Sequence, residues 1–173
     1  MKICENLKRD ILLLLGAHFS IAGGLHEALL TAKRYRCTAL QLFTKNSNTW
    51  KERIVTAEEI GLFRQAREKA GITAIVSHAS YLINLASPEK QKQNMSKDAL
   101  IHELERSASL DIPYVVLHPG AHMKSGEENG CIRVAKTINE VFKRVPPSNT
   151  RLLLETTAGQ GSNIGYTFEQ LAL

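Results

Sequence analysis

Apolar residues along this chain come in short runs that alternate with longer stretches of helical periodicity. ILLLLGA (11–17), TALQLF (38–43), ITAIVSH (72–78), YVVLH (114–118) and RLLLE (151–155) are rich in Ile, Val and Leu and are bounded by Gly, Pro, Ser or Thr. Such runs read as strands covered on both faces, as in a parallel sheet. Between them, LHEALLTAKRY, TAEEIGLFRQAREKA, a long SPEKQ to ELERSASL stretch, EENGCIRVAKTINEVFKRV and the start of YTFEQLAL carry apolar positions at helical spacing. In the fourth of these, Ile132, Ala135, Ile138 and Phe142 are expected to face the sheet. Thr56 with Glu59 and Ser125 with Glu128 read as capping boxes, and Ser87 before Pro88 as an N-cap with proline at the first helical position. Uninterrupted βα alternation predicts an α/β fold with right-handed crossovers. The candidates are a (β/α)₈ TIM barrel, incomplete here with about five strands and their helices, and an open doubly wound sheet. A closed barrel takes roughly 250 residues, and this chain has 173. The expected organisation is therefore an N-terminal extension over residues 1–10 and the amino-terminal part of a single barrel domain over residues 11–173.

Three of the runs stop on a residue that can bind metal: ITAIVSH on His78, YVVLH on His118 and RLLLE on Glu155. In a barrel the carboxyl ends of the strands form one rim, where side chains distant in sequence converge. A lone His at a strand end is more often a hydrogen-bonded structural group. Three donors at equivalent positions, each about one βα unit apart, instead suggest a site for Zn²⁺ or a similar divalent ion with a position left open.

Composition narrows the setting without naming a partner. The 22 Lys and Arg against 17 Asp and Glu give a net charge of +5, compatible with a polyanion but not demanding one, because most basic residues fall on helix-like, solvated faces. Cys4, Cys37 and Cys131 are odd in number and lack CxxC spacing, which argues against a disulfide framework or a thiolate zinc site and for a reducing compartment, the cytoplasm. The ILLLLGA run is far short of the roughly 20 residues of a membrane helix. The acidic Glu5 and Asp10 before it argue against a secretory leader. AGQGSNIG lacks the Lys and spacing of a Walker loop.

Five segments, GAHFSIAGG (16–24), LQLFTKNSNTW (40–50), SHASYLINLASP (77–88), LHPGAH (117–122) and LLETTAGQGSNIG (153–165), resemble in this order the strand-end motifs of the endonuclease IV family of metal-dependent apurinic/apyrimidinic endonucleases. The resemblance implies a (β/α)₈ barrel with three zinc ions that cleaves double-stranded DNA 5′ to an abasic site, by a hydroxide held between cations. His78 and His118 match ligands of the first zinc. Glu155 matches the carboxylate that bridges the first and second, and is the catalytic candidate. Tyr81 and Leu82 match residues that wedge into the minor groove, and Lys45, Asn46, Asn48 and Trp50 stand on a loop at the same rim. At Ser47 and Asn48 the chain departs from relatives that usually carry Pro and then Arg, which removes a cation expected in the minor groove. His18 and His122 match no ligand and read as supporting groups. The expected form is a monomer when complete, and a chain ending at Leu173 is expected to hold only the first site's ligands and to be inactive alone. A divalent-metal sugar isomerase or epimerase of the same architecture is the alternative, followed by a non-catalytic nucleic-acid-binding fragment.

Overall fold

The computed structural model describes residues 13–173. The expected extension over residues 1–10, and Ile11 and Leu12 of the first apolar run, lie outside the described residues. Five strands alternate with five helices: β1 (Gly16–Phe19), α1 (Leu25–Arg34), β2 (Ala39–Leu42), α2 (Ala57–Ala70), β3 (Ala74–His78), α3 (Lys90–Ser109), β4 (Tyr114–Leu117), α4 (Glu127–Arg144), β5 (Arg151–Leu154) and α5 (Phe168–Ala172). All strand pairs are parallel, and the order in the sheet is the order in the chain. A doubly wound sheet reverses direction at a switch point. Steady progression from β1 to β5 is instead the winding of a TIM barrel, of which these residues form a part. Among the described residues no helix is long and apolar enough to cross a membrane.

The strands obey a period of two. Leu40, Leu42, Ile75, Ser77, Val115 and Leu117 point to the helix layer and are buried. The alternate positions Ala39, Gln41, Ala74, Val76 and Val116 are only half-buried, and Tyr114 is exposed. Helices close one side of the sheet, and the other is the barrel's inner face, which the strands of a whole barrel fill with side chains. The first strand also begins later than its leucines suggest. Leu13, Leu14 and Leu15 are exposed, and the ladder starts at Gly16, opposite Ala39. A β-carbon on Gly16 would fall 2.0 Å from the Ala39 carbonyl oxygen, so this close strand approach requires glycine.

Two apolar clusters sit under the helices. One joins α1, α2, β2 and β3 around Leu29, Leu42, Phe63 and Ile75, and the other joins α3, α4 and β4 around Leu100, Leu104, Val115 and Val141. The fourth helix is rotated from its expected orientation. Cys131, Val134 and Val141 are buried, with Ile138 packed against them, while Phe142 is 50% and Ile132 42% exposed. Two overlapping apolar stripes fit helical spacing here, and packing against α3 in the shared core selects the one through Val134.

The caps divide in the same way. The Thr56–Glu59 box forms at the start of α2, with Thr56 Oγ1 accepting from the Glu59 amide and Glu59 Oε2 accepting from the Thr56 amide. Ser125 does not cap α4. Gly126 holds that position, and the Ser125 hydroxyl donates to the His122 carbonyl. Helix α3 starts at Lys90, two residues beyond Pro88, although Ser87 Oγ still accepts from the Glu89 amide. Thr56→Ala is expected to cost about 1 kcal/mol, measured by denaturant unfolding. The Thr56 amide bond, with help from Arg53, holds the Glu59 carboxyl below its ordinary range. A lowered folded value means that the box contributes fully at neutral pH and that its contribution is lost as the pH falls through the acidic range. Glu59→Ala should therefore cost less in acid than at neutral pH, whereas the cost of Thr56→Ala, which keeps the amide that Glu59 accepts from, should change little.

Candidate metal centre

Strand parity brings the three candidate ligands onto the inner face. Ser77 and Val115 pair on the helix side, so His78 and Val116, one residue on, face the barrel axis. His118 lies two residues beyond Val116 and Glu155 two beyond Leu153, so both keep that orientation. The ladder extends just past the strand ends: the Ala79 amide donates to the Val116 carbonyl (2.8 Å) and the Glu155 amide to the Leu117 carbonyl (2.9 Å). One ligand atom from each of His78, His118 and Glu155 therefore falls within 4.8 Å of the others.

The donor atoms suit a cation. His78, 5% exposed, has Nδ1 2.7 Å from the Ala79 carbonyl oxygen. A carbonyl can only accept, so Nδ1 carries the proton, and in the neutral ring Nε2 presents a lone pair. That Nε2 lies 3.2 Å from Glu155 Oε2, and His118 Nε2 lies 3.6 Å from the same oxygen. A neutral imidazole acceptor facing a carboxylate is unfavourable unless a positive charge sits between or beside them. Ligands about 2.0–2.1 Å from a tetrahedral zinc are separated by roughly 3.3 Å, close to both distances. The backbone carbonyl on the far side of His78 is the kind of partner that fixes the tautomer of a ligating histidine. His118 Nδ1 is buried without a partner, so its ring lacks the far-side acceptor that orients His78.

Loops after the strands are joined into one continuous rim. Ser80 Oγ donates to the Ser47 carbonyl (2.6 Å) and accepts from the Leu82 amide (3.2 Å), tying the β2 loop to the β3 loop. Asn84 clasps the β4 loop, accepting from the Ala121 amide (2.9 Å) and donating to its carbonyl (3.0 Å). Gly120 has φ 113°, and a β-carbon there would meet Asn84 Oδ1 at 2.2 Å, so glycine is needed for both conformation and clearance. The β4 loop in turn pairs with the β5 loop through Ala121 and Asn163, and through the His122 amide to the Ser162 carbonyl (2.8 Å). A cleft of about 450 Å³ opens beside the triad, bordered by Tyr81, Asn84, Gly120, Thr157 and Asn163.

The other candidates divide between rim and interior. Tyr81 is 64% exposed and its ring lies 5.3 Å from that of His78 and 6.5 Å from that of His118, nearly parallel to the latter. Leu82 is half-buried, while Asn46, Asn48 and Trp50 are exposed at the rim. Lys45 is placed differently. It is 5% exposed, and its ammonium donates to the Thr49 carbonyl and lies 3.7 Å from Glu52 Oε1, so it braces its own loop. His18 packs against Phe43 at a tilt of 50°, with centroids 4.4 Å apart. Burial, with His78 nearby, holds its imidazole below the ordinary value. His122 accepts from the Gly126 amide, and neither histidine joins the triad. Ser80, Asn84, Glu103 and Arg106 support the rim and are not foreshadowed by the strand-end pattern. A signal for the last two exists: ionisable residues stand at core-facing positions of α3 between Leu100, Leu104 and Leu110.

The family profile described as xylose isomerase-like TIM barrel matches residues 29–172. A "Probable endonuclease 4" of Geobacter sulfurreducens is 47% identical over 158 residues, covering 91% of this chain and 53% of its own length. One of Chloroflexus aurantiacus is 45% identical, covering 91% and 55%. Among solved structures, endonuclease IV from Thermus thermophilus superposes with a TM-score of 0.75 at 36% identity, covering 91% of this chain and 58% of that one. A D-tagatose 3-epimerase-like protein superposes with a TM-score of 0.70 at 17% identity, covering 91% and 58%, a likeness of fold alone. This chain spans about half the length of the curated relatives it matches. It belongs to the xylose isomerase-like TIM-barrel family, and within it to the endonuclease IV group that its strand-end motifs resemble.

Proposed function

We propose that this chain is part of a zinc-dependent endonuclease of DNA base-excision repair, one that hydrolyses the phosphodiester 5′ to an abasic site in duplex DNA. One observation carries the reading: two imidazole Nε2 atoms and a carboxylate oxygen gather at the ends of consecutive strands, beside an exposed tyrosine. His78 and His118 would hold one ion, with Glu155 positioned to share it or to bridge to a second. Bound there, divalent ions lower the pKa of water towards neutrality and neutralise phosphate charge. The chain's own groups supply the rest. Ala79 fixes the His78 tautomer, and burial of His78 keeps its Nε2 lone pair from bulk water. Tyr81, held by edge contact with Phe43 at 5.5 Å, offers a flat face at the height of the ligands, suited to fill the gap left by a missing base. Leu82 flanks it, and Asn46, Asn48 and Trp50 provide hydrogen bonds and a second aromatic for the backbone. Without an arginine at position 48, Asn48 offers a polar rather than an ionic contact. Such a protein would act as a cytoplasmic monomer.

The sugar isomerase alternative shares the fold. It lacks any use for an exposed Tyr81 and for a rim that continues unbroken from the β2 loop to the β5 loop. Fluorescence anisotropy on duplexes with and without a central tetrahydrofuran residue tests the choice. The abasic duplex should bind more tightly, and Tyr81→Ala should erase about tenfold of that affinity, in line with the loss of one stacking contact. Equal affinity for intact and abasic duplexes, or a monosaccharide that displaces DNA from the triad, would count against the endonuclease reading.

A further inference from the structure

Residues 43–56, between β2 and α2, form a long connection without regular structure, yet both of its ends are anchored in the core. At its start Thr44, fully buried, donates to Glu103 Oε2 (2.8 Å) and accepts from Arg106 Nε (3.0 Å). Towards its end, Glu52 Oε2 accepts from Arg106 Nη1. The other Glu52 oxygen makes no hydrogen bond and is held by the Lys45 ammonium at 3.7 Å. Arg106 Nη2 completes the fork by donating to Glu103 Oε2 (2.8 Å). Two carboxylates and two cations thus form a neutral cluster, with side-chain exposures of 3–6% except for Glu52 at 28%.

Charge buried this deeply is costly unless it is paired on every side, and apolar residues could stabilise the same core. What the ionic cluster adds is geometry. The planar fork of Arg106 reaches one residue at each end of the loop and so fixes their separation, which neither an apolar side chain nor a lysine could do. Between the anchors the loop carries Asn46, Asn48 and Trp50, and its middle is tied to the Tyr81 loop by Ser80. We propose that Arg106, with Glu103 and Glu52, is a buried latch that shapes the β2–α2 loop, making Arg106 and Glu52 positioning residues for its nucleic-acid surface. The second half of this proposal rests on the endonuclease reading above.

Trp50 is the chain's sole tryptophan, so its emission reports on this loop. Glu52→Ala removes the anchor towards the end of the loop and leaves the bonds of Arg106 to Glu103 and Thr44 in place. Its Trp50 emission is expected to move to longer wavelength, with greater quenching by acrylamide, and its affinity for an abasic duplex to fall about tenfold, the equivalent of 1.4 kcal/mol. Far-ultraviolet circular dichroism and zinc affinity should not change. Glu52→Gln, which keeps an oxygen for Arg106 but loses the attraction to Lys45, should fall between wild type and Glu52→Ala in both readouts, and it carries the test if the alanine variant does not fold. Wild-type Trp50 emission and quenching in the folded variants would overturn the latch while leaving the endonuclease reading intact. An unsubstituted chain that binds no duplex would instead overturn the positioning role together with that reading.

Discussion

Glu155→Gln is expected to weaken zinc binding by about a hundredfold or more, at or beyond the loss typical of outer-sphere partners, and, in the full-length protein, to nearly abolish metal-dependent incision of abasic DNA. It should do so without lowering the melting temperature of the metal-free protein. The expectation follows from the atoms that face one another. With its Nδ1 proton committed to the Ala79 carbonyl, His78 turns an acceptor towards Glu155 Oε2 at 3.2 Å. An amide replacing the carboxylate can rotate its NH₂ group towards that lone pair and convert an unfavourable contact into a hydrogen bond. The neutral amide is at the same time a poor ligand and a poorer bridge between two cations. The bland reading, a structural imidazolium–carboxylate pair, makes the opposite prediction: the variant would then lose stability without metal and change little with it. Calorimetric melting of both proteins, with zinc and with a chelator, separates the two, and a metal-free variant that melts well below wild type would sink the metal reading.

Much of this site was legible because it rests on parity. A strand that ends in a parallel barrel aims alternate residues at the axis, so the places where ITAIVSH, YVVLH and RLLLE stop were enough to bring His78, His118 and Glu155 together. Parity did not fix Tyr81, since an aromatic three residues after His78 could equally pack under its loop, and only the family resemblance implied its place at the rim. Nor did it fix Lys45. A lysine in a polar loop has the same sequence signature whether its ammonium meets solvent or, as here, turns back to Glu52 and the Thr49 carbonyl. Which way it turns depends on Arg106, far along the chain. The rotation of α4 was hidden by ambiguity, because Ile132, Ala135, Ile138 and Phe142 make as good a helical stripe as Cys131, Val134, Ile138 and Val141. Only tertiary packing decides between them. Ser125 shows the same competition on a smaller scale: its hydroxyl had a helix N-terminus within reach and went to the His122 carbonyl instead.

Metal should also act as a staple between strands, giving the largest stability effect expected for this chain. His78, His118 and Glu155 come from the ends of β3, β4 and β5, so an ion that binds all three binds only the folded arrangement. A ligand specific to the native state stabilises it by about 4 kcal/mol when its free concentration is a thousand times its dissociation constant. For a domain of this size that corresponds to a rise in melting temperature of roughly 8–16 °C. Among the described residues one group of three potential ligands gathers in this way, so metal analysis is expected to return one tightly held zinc per chain. His118→Ala should lose both the ion and the thermal shift while keeping its helical content, since His118 is only half-buried and its Nδ1 contributes no hydrogen bond. Nicking of an abasic duplex by the same preparation is expected to be weak, because the chemistry implied by the family resemblance draws on three ions and the described residues assemble one ligand set. Two or more tight equivalents of zinc, a melting temperature indifferent to zinc, or robust cleavage by the purified chain would each show that the triad is not the self-contained single site described above.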